Sequence, residues 1–277
     1  MRRLPSLVIL FLLAALSAAP LRAGPGTAVI EALRLTEVVS IMRAEGIAHG
    51  VGVGESMLGP RGSGPGWQAI VEGIHDRDRM LGMLRKGIDS ALPDQMAAIA
   101  PALDFFEGEL GRRILRLEIS AREAMLDTEV DEAAREGWAR LQQTEAARAA
   151  QLLRLAEAGD LIEENVVGGL NSTFAFYRGL MDSGASGFGM GQQDMLADVW
   201  SQEPEIRAEI EAWLFGYLAL AYGPLGTDDL DDYVALFESE AGQQLNAALF
   251  AAFNAMFETL SHDLGLAAGR MLAGEDL

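Results

Sequence analysis

The densest cluster of chemistry-bearing side chains is Asp228-Asp229-Leu230-Asp231-Asp232. It fits D-D-x-x-D, a magnesium-binding pattern of helical enzymes that act on diphosphates, in which carboxylates one turn apart share a divalent ion on one helix face. Asp228, Asp229 and Asp232 are the candidate metal ligands, and a metal-dependent enzyme built on them is one functional alternative. Such enzymes need a second acidic motif, and the sequence offers none. The same acids also suit the first turn of a helix, where negative charge meets the positive end of the helix dipole; that reading is preferred.

The other reactive residue types do not converge. Glu107 and Glu109, like Glu238 and Glu240, are two positions apart, about 200° around a helix, and so cannot flank one bond as an acid–base pair. Gly111 and Gly242 follow Glu107 and Glu238 by four positions. Glycine inside a helix costs about 1 kcal/mol, so its recurrence predicts a close crossing by another helix. The glycine-rich segments 50–54 and 187–191 lack the strand context and lysine of a phosphate cradle and read as loops between helices; their recurrence leaves room for a ligand pocket shared between two halves. His49, His75 and His262 show no i, i+4 zinc spacing and read as helix-edge residues. There is no cysteine, hence no thiol nucleophile or thiolate metal site, and no G-x-S-x-G. No catalytic residue, cofactor-binding residue or cofactor is assigned.

The elements that carry these residues are helical, and the expected fold class is all-α, a bundle made of two pseudo-repeated helical halves. Ile99, Leu103, Phe106, Leu110, Ile114, Leu117, Ala121 and Met125 step by three and four, which predicts one helix over 94–125 begun by Asp94 after Pro93. Thr128 and Asp131 have the spacing of a capping box before a polar helix over 129–158, ended or kinked at Gly159-Asp160. Thr227 is the expected cap of a further helix in which Leu230, Val234, Phe237, Ala241, Leu245, Ala248, Ala252 and Met256 repeat the stepping. From Leu245 to Leu260 the apolar residues wrap almost the whole circumference, which predicts a helix central in the core or at a subunit contact.

The two stepped helices align at an offset of 131: Phe106-Glu107-Gly108-Glu109-Leu110-Gly111 matches Phe237-Glu238-Ser239-Glu240-Ala241-Gly242. A second match, His49–Gly54 with Ser186–Gly191, has an offset of 137, and an extra loop at 59–66 accounts for the difference. Two matched blocks suggest an internal duplication, with halves 27–158 and 159–277. The segment Phe237-Glu238-Ser239-Glu240-Ala241-Gly242, preceded by an acidic helix start, resembles the F-x-S-x-x-G helix of the bacterial exported family of domain of unknown function (DUF) 2059; the first half departs from it with Gly108. The resemblance is confined to the C-terminal part of the chain, around this helix. It implies a helical, exported protein and supplies no catalytic residue.

Export is also expected from the N-terminus. Arg2 and Arg3 precede an apolar run from Leu7 to Ala19, broken only by Ser17. That run is short of the roughly 20 residues needed to span a bilayer. Residues 1–23 read as a signal peptide cut after Ala23, which places the protein in the periplasm or outside the cell with no transmembrane segment after cleavage. The net charge is −20; it repels nucleic acid and anionic lipid. The expected function is a non-catalytic module that binds an unidentified protein or small ligand between its halves. A structural envelope-interaction protein is a further alternative.

Overall fold

A computed structural model describes residues 24–93, 95–184 and 191–274. The expected signal segment 1–23, the expected cap Asp94 and residues 186–190 of the second glycine-rich segment lie outside the described residues. Among those described the chain is all-helical, with no strand. The α-helices are α1 (Pro25–Ala32), α2 (Leu35–Leu58), α3 (Pro65–Ile74), α4 (Arg77–Ala91), α5 (Met96–Glu107), α6 (Glu109–Ala124) and α7 (Thr128–Thr144), followed by α8 (Ala146–Ala158), α9 (Leu161–Asp182), α10 (Gln192–Ser201), α11 (Glu203–Tyr222), α12 (Thr227–Glu238) and α13 (Glu240–Ala273).

Local chemistry sets the boundaries, and several differ from those the sequence suggested. The helix expected over 94–125 is two helices, broken at Gly108, whose backbone is extended (φ −69°, ψ 172°). The helix over 227–260 breaks in the same way at Ser239 (φ −76°, ψ 152°), and 239 minus 108 is 131. At Ser239 the side chain caps α13: its Oγ accepts from the Gly242 N–H at 3.1 Å and donates to the Leu236 carbonyl at 2.6 Å. Gly108 has no side chain to do this. The repeated glycines find their reason at these breaks. A Cβ on Gly111 would stand 2.1 Å from the Phe105 carbonyl oxygen, and one on Gly242 would stand 1.9 Å from that of Leu236. The close neighbour is thus the last turn of the preceding helix rather than a separate crossing helix.

The helix expected over 129–158 breaks at Glu145 into α7 and α8. The caps also shift by one position. Asp127, not Thr128, caps α7 by accepting from the Glu129 N–H at 2.9 Å, and Gly226, not Thr227, precedes α12. Segment 50–54 is not a loop. It lies within α2, and its glycines make the slot that receives Trp67 of α3. The Trp67 indole N–H donates to the Gly50 carbonyl at 2.8 Å, and a Cβ on Gly54 would overlap the same ring.

The main apolar core is continuous across the boundary at residue 158. It joins Val29, Leu84, Ile88, Ile99, Ile114 and Leu152 to Leu214, Leu218, Leu230, Val234, Leu245 and Met256. The 34-residue α13 runs through it, packed on α9, α4 and α5. Its buried stripe, Leu245, Ala248, Ala252, Met256 and Leu260, accounts for only one side. The large apolar residues on the neighbouring side, Leu249, Phe250, Phe253 and Phe257, face a cavity.

Candidate functional site

That cavity, about 560 Å³ in volume and partly open to solvent, is lined by the α1–α2 junction, α5, α6, α9, α11, α12 and α13. Its walls are mainly apolar and aromatic. The two helix–break–helix units, α5–α6 and α12–α13, line it with positions matched at the offset of 131: Phe106 and Phe237, Leu115 and Asn246, Glu118 and Leu249, Ile119 and Phe250, Arg122 and Phe253. At two of these positions the first unit places a charge where the second places a large apolar side chain.

Glu118 is the only acid among the lining residues and Arg122 the only base. Glu118 Oε1 accepts two hydrogen bonds, from the Tyr222 hydroxyl at 2.6 Å and the Tyr233 hydroxyl at 2.7 Å. The Tyr217 hydroxyl reaches the Glu118 backbone carbonyl at 3.4 Å. Burial pushes the Glu118 carboxyl above the ordinary carboxylate range, and the two phenol donors oppose that shift. The three phenols are held well above the usual tyrosine range, first by burial and then by the charge of Glu118, so they stay protonated as donors.

The surrounding elements hold this arrangement in place. Tyr222 ends α11, and the turn after it is pinned by Arg148 of α8, whose guanidinium donates to the carbonyls of Tyr222 and Leu225. Tyr233 is buried on α12, with Tyr222 edge-on at 5.6 Å and Phe237 edge-on at 5.1 Å. Arg122, one turn after Glu118, is turned away. It forms a two-pronged pair with Glu45 of α2 at 3.1 and 2.8 Å, and its guanidinium carbon sits 5.5 Å from the Trp213 ring centre. Trp213 stacks on Tyr217 at 5.3 Å.

The residues singled out from sequence lie elsewhere. Asp228 and Asp232 are exposed on the surface of α12. Asp229 pairs with Arg113 at 3.0 Å, and Asp231 accepts from Gln151 at 2.9 Å. Among the described residues no three His, Cys, Asp or Glu side chains come close enough to hold a metal ion; Asp228 and Asp229 stand in the first turn of α12, where acids meet the positive end of the helix dipole. Glu238 pairs with Arg154 at 2.6 Å. His49 and His75 meet at a smaller hollow of about 220 Å³, beside Glu45 and Ser261. His75 is buried, with Nδ1 3.0 Å from the Val71 carbonyl, and burial lowers its affinity for a proton. His262 lies 2.9 Å from Asp182.

Sequence reasoning passed over Glu118, Tyr217, Tyr222 and Tyr233. A signal for Glu118 was present. Projecting the all-round apolar helix back by the same offset puts Glu118 at the position of Leu249, so a carboxylate there stands out.

The fold and site together define a protein that is all-helical over the described residues, with a partly open aromatic cavity. No family model, curated protein or solved structure matches the chain. None of the helices among the described residues is long and apolar enough to cross a membrane.

Proposed function

We propose that this is a non-catalytic binding protein, exported to the periplasm or beyond the cell, that holds an apolar small molecule between its two helical halves, 27–158 and 159–277. The observation that carries the reading is the cavity itself. Its volume of about 560 Å³ falls within the roughly 300–1,000 Å³ of small-molecule sites, and its largely apolar wall with a few placed polar groups is the usual composition of such sites. Binding rather than catalysis is favoured by the chemistry of the wall. Glu118 is its lone acid, and both hydroxyls that reach its carboxylate are tyrosines acting as donors.

The matched lining positions at an offset of 131 support descent of the two halves from one duplicated unit. The signal-like N-terminus and the resemblance of Phe237–Gly242 to the DUF2059 helix both agree with export.

Calorimetric titration of decanol into the purified protein tests the reading. Saturable binding at one site is expected, with affinity on the order of micromolar. Leu249→Trp, which fills the cavity, should abolish it while leaving the helical circular dichroism signal unchanged. Absence of saturable binding of any apolar probe would remove the proposal.

A further inference from the structure

Resting on the reading of the cavity as a binding site, we infer that its ligand is an apolar molecule bearing one ammonium group, with the ammonium set against Glu118. Three observations lead there. First, both phenol donors converge on Oε1, while Oε2 has no protein hydrogen bond among the described residues. The two donors oppose the rise that burial imposes on this acid, and they fix its carboxyl in the cavity wall.

Second, the protein supplies no cation to match it. Arg122 is the one base in the lining, and it is committed to Glu45 through two hydrogen bonds and lies against Trp213. The other polar groups facing the acid are the phenols of Tyr217, Tyr222 and Tyr233, which stay neutral. A half-buried carboxyl held by two neutral phenols and facing no free cation gains most from a ligand that brings one.

Third, the surroundings suit a cation with an organic body. The rings of Tyr222, Tyr233 and Phe106 cluster there, and an ammonium near aromatic faces is attracted by the ring quadrupoles. A net charge of −20 raises the concentration of cations near the protein and repels anions. A bare metal ion is poorly served, with one carboxylate and no further acid in the wall. A carboxylate ligand would meet Glu118 as a like charge.

The test is a titration with three molecules of one chain length: decylamine, decanol and decanoate. Decylamine is expected to bind at least about tenfold tighter than decanol, and decanoate weaker than both. Glu118→Gln should bring decylamine and decanol to within about twofold of each other by removing the charge; retained decanol binding shows that the variant is folded. In the wild-type protein, acidification that protonates Glu118 should weaken decylamine and leave decanol unchanged, so the inference remains testable if the variant fails to fold. Equal affinities for decylamine and decanol would overturn the inference and leave the binding reading standing. Failure of all three to bind would overturn that reading and the inference with it.

Discussion

The α5–α6 and α12–α13 units bend alike and differ in what they offer the cavity. Each bends at an extended residue, Gly108 or Ser239, and each places a glycine three positions later against a carbonyl of the helix before. Each sends side chains at matched positions into the same space. The second unit fills them with Leu249 and Phe253; the first uses Glu118 and Arg122. The helices thus build the hollow, and two charged residues on one side give it polarity. The Glu118 carboxyl is held in an apolar wall by the two tyrosine hydroxyls that α11 and α12 bring to it. Asp229, by contrast, is half-exposed and pairs with Arg113 at the surface, where an ion pair contributes about 0–1 kcal/mol. The environment of a carboxylate, not its local density in sequence, decides whether it can do chemistry.

If the breaks are equivalent, they should fail equally. Gly111→Ala and Gly242→Ala each force a Cβ to within about 2 Å of a carbonyl oxygen, and each should cost about 2–4 kcal/mol of stability in urea denaturation. A large effect at only one of them would separate the two units. Next in size is Tyr233→Phe. Losing one of the two donors to Glu118 should destabilise the protein by about 1–3 kcal/mol near neutral pH.

Glu118→Gln sharpens the contrast through pH. The carboxyl of Glu118 is raised on folding, so its contribution to stability is full below the unfolded carboxylate value and is lost as pH rises through the folded one. The wild-type protein should therefore lose stability relative to the variant as pH climbs from the ordinary carboxylate range towards neutrality. A difference independent of pH would show that Glu118 is not perturbed. The smallest change is Ser239→Gly, which makes the second break resemble the first. A cap lost to glycine costs only about a few tenths of a kcal/mol, visible as a slight fall in Tm.

Much of this architecture was legible in the sequence. Steps of three and four marked the helices, and the apolarity of 245–260 marked α13 as a core helix, although its Ala247, Ala251 and Ala255 face solvent. The breaks were not legible because the apolar stripe runs through them. Ile99 to Met125 keep their spacing across Gly108, and periodicity does not report a single extended residue. Gly50 and Gly54 read as part of a loop because the side chains that explain them, Val71 and Trp67, are tertiary neighbours. The cavity was hidden for the same reason: the offset of 131 sets Glu118 against Leu249, but its tyrosines come from helices far along the chain. The DDxxD-like run stood out most, and its first two acids stand in the first turn of α12.

The central claim is that Glu118 is a carboxyl isolated in an apolar wall and waiting for a cation. A pH titration of the protein labelled with ¹³C at the glutamate side chains, without and with decylamine, tests it most directly. The account predicts one glutamate, absent from the spectrum of Glu118→Gln, that titrates above the ordinary carboxylate range in the free protein and moves down when the amine binds. Titration of Glu118 together with the surface glutamates, unmoved by the amine, would contradict it.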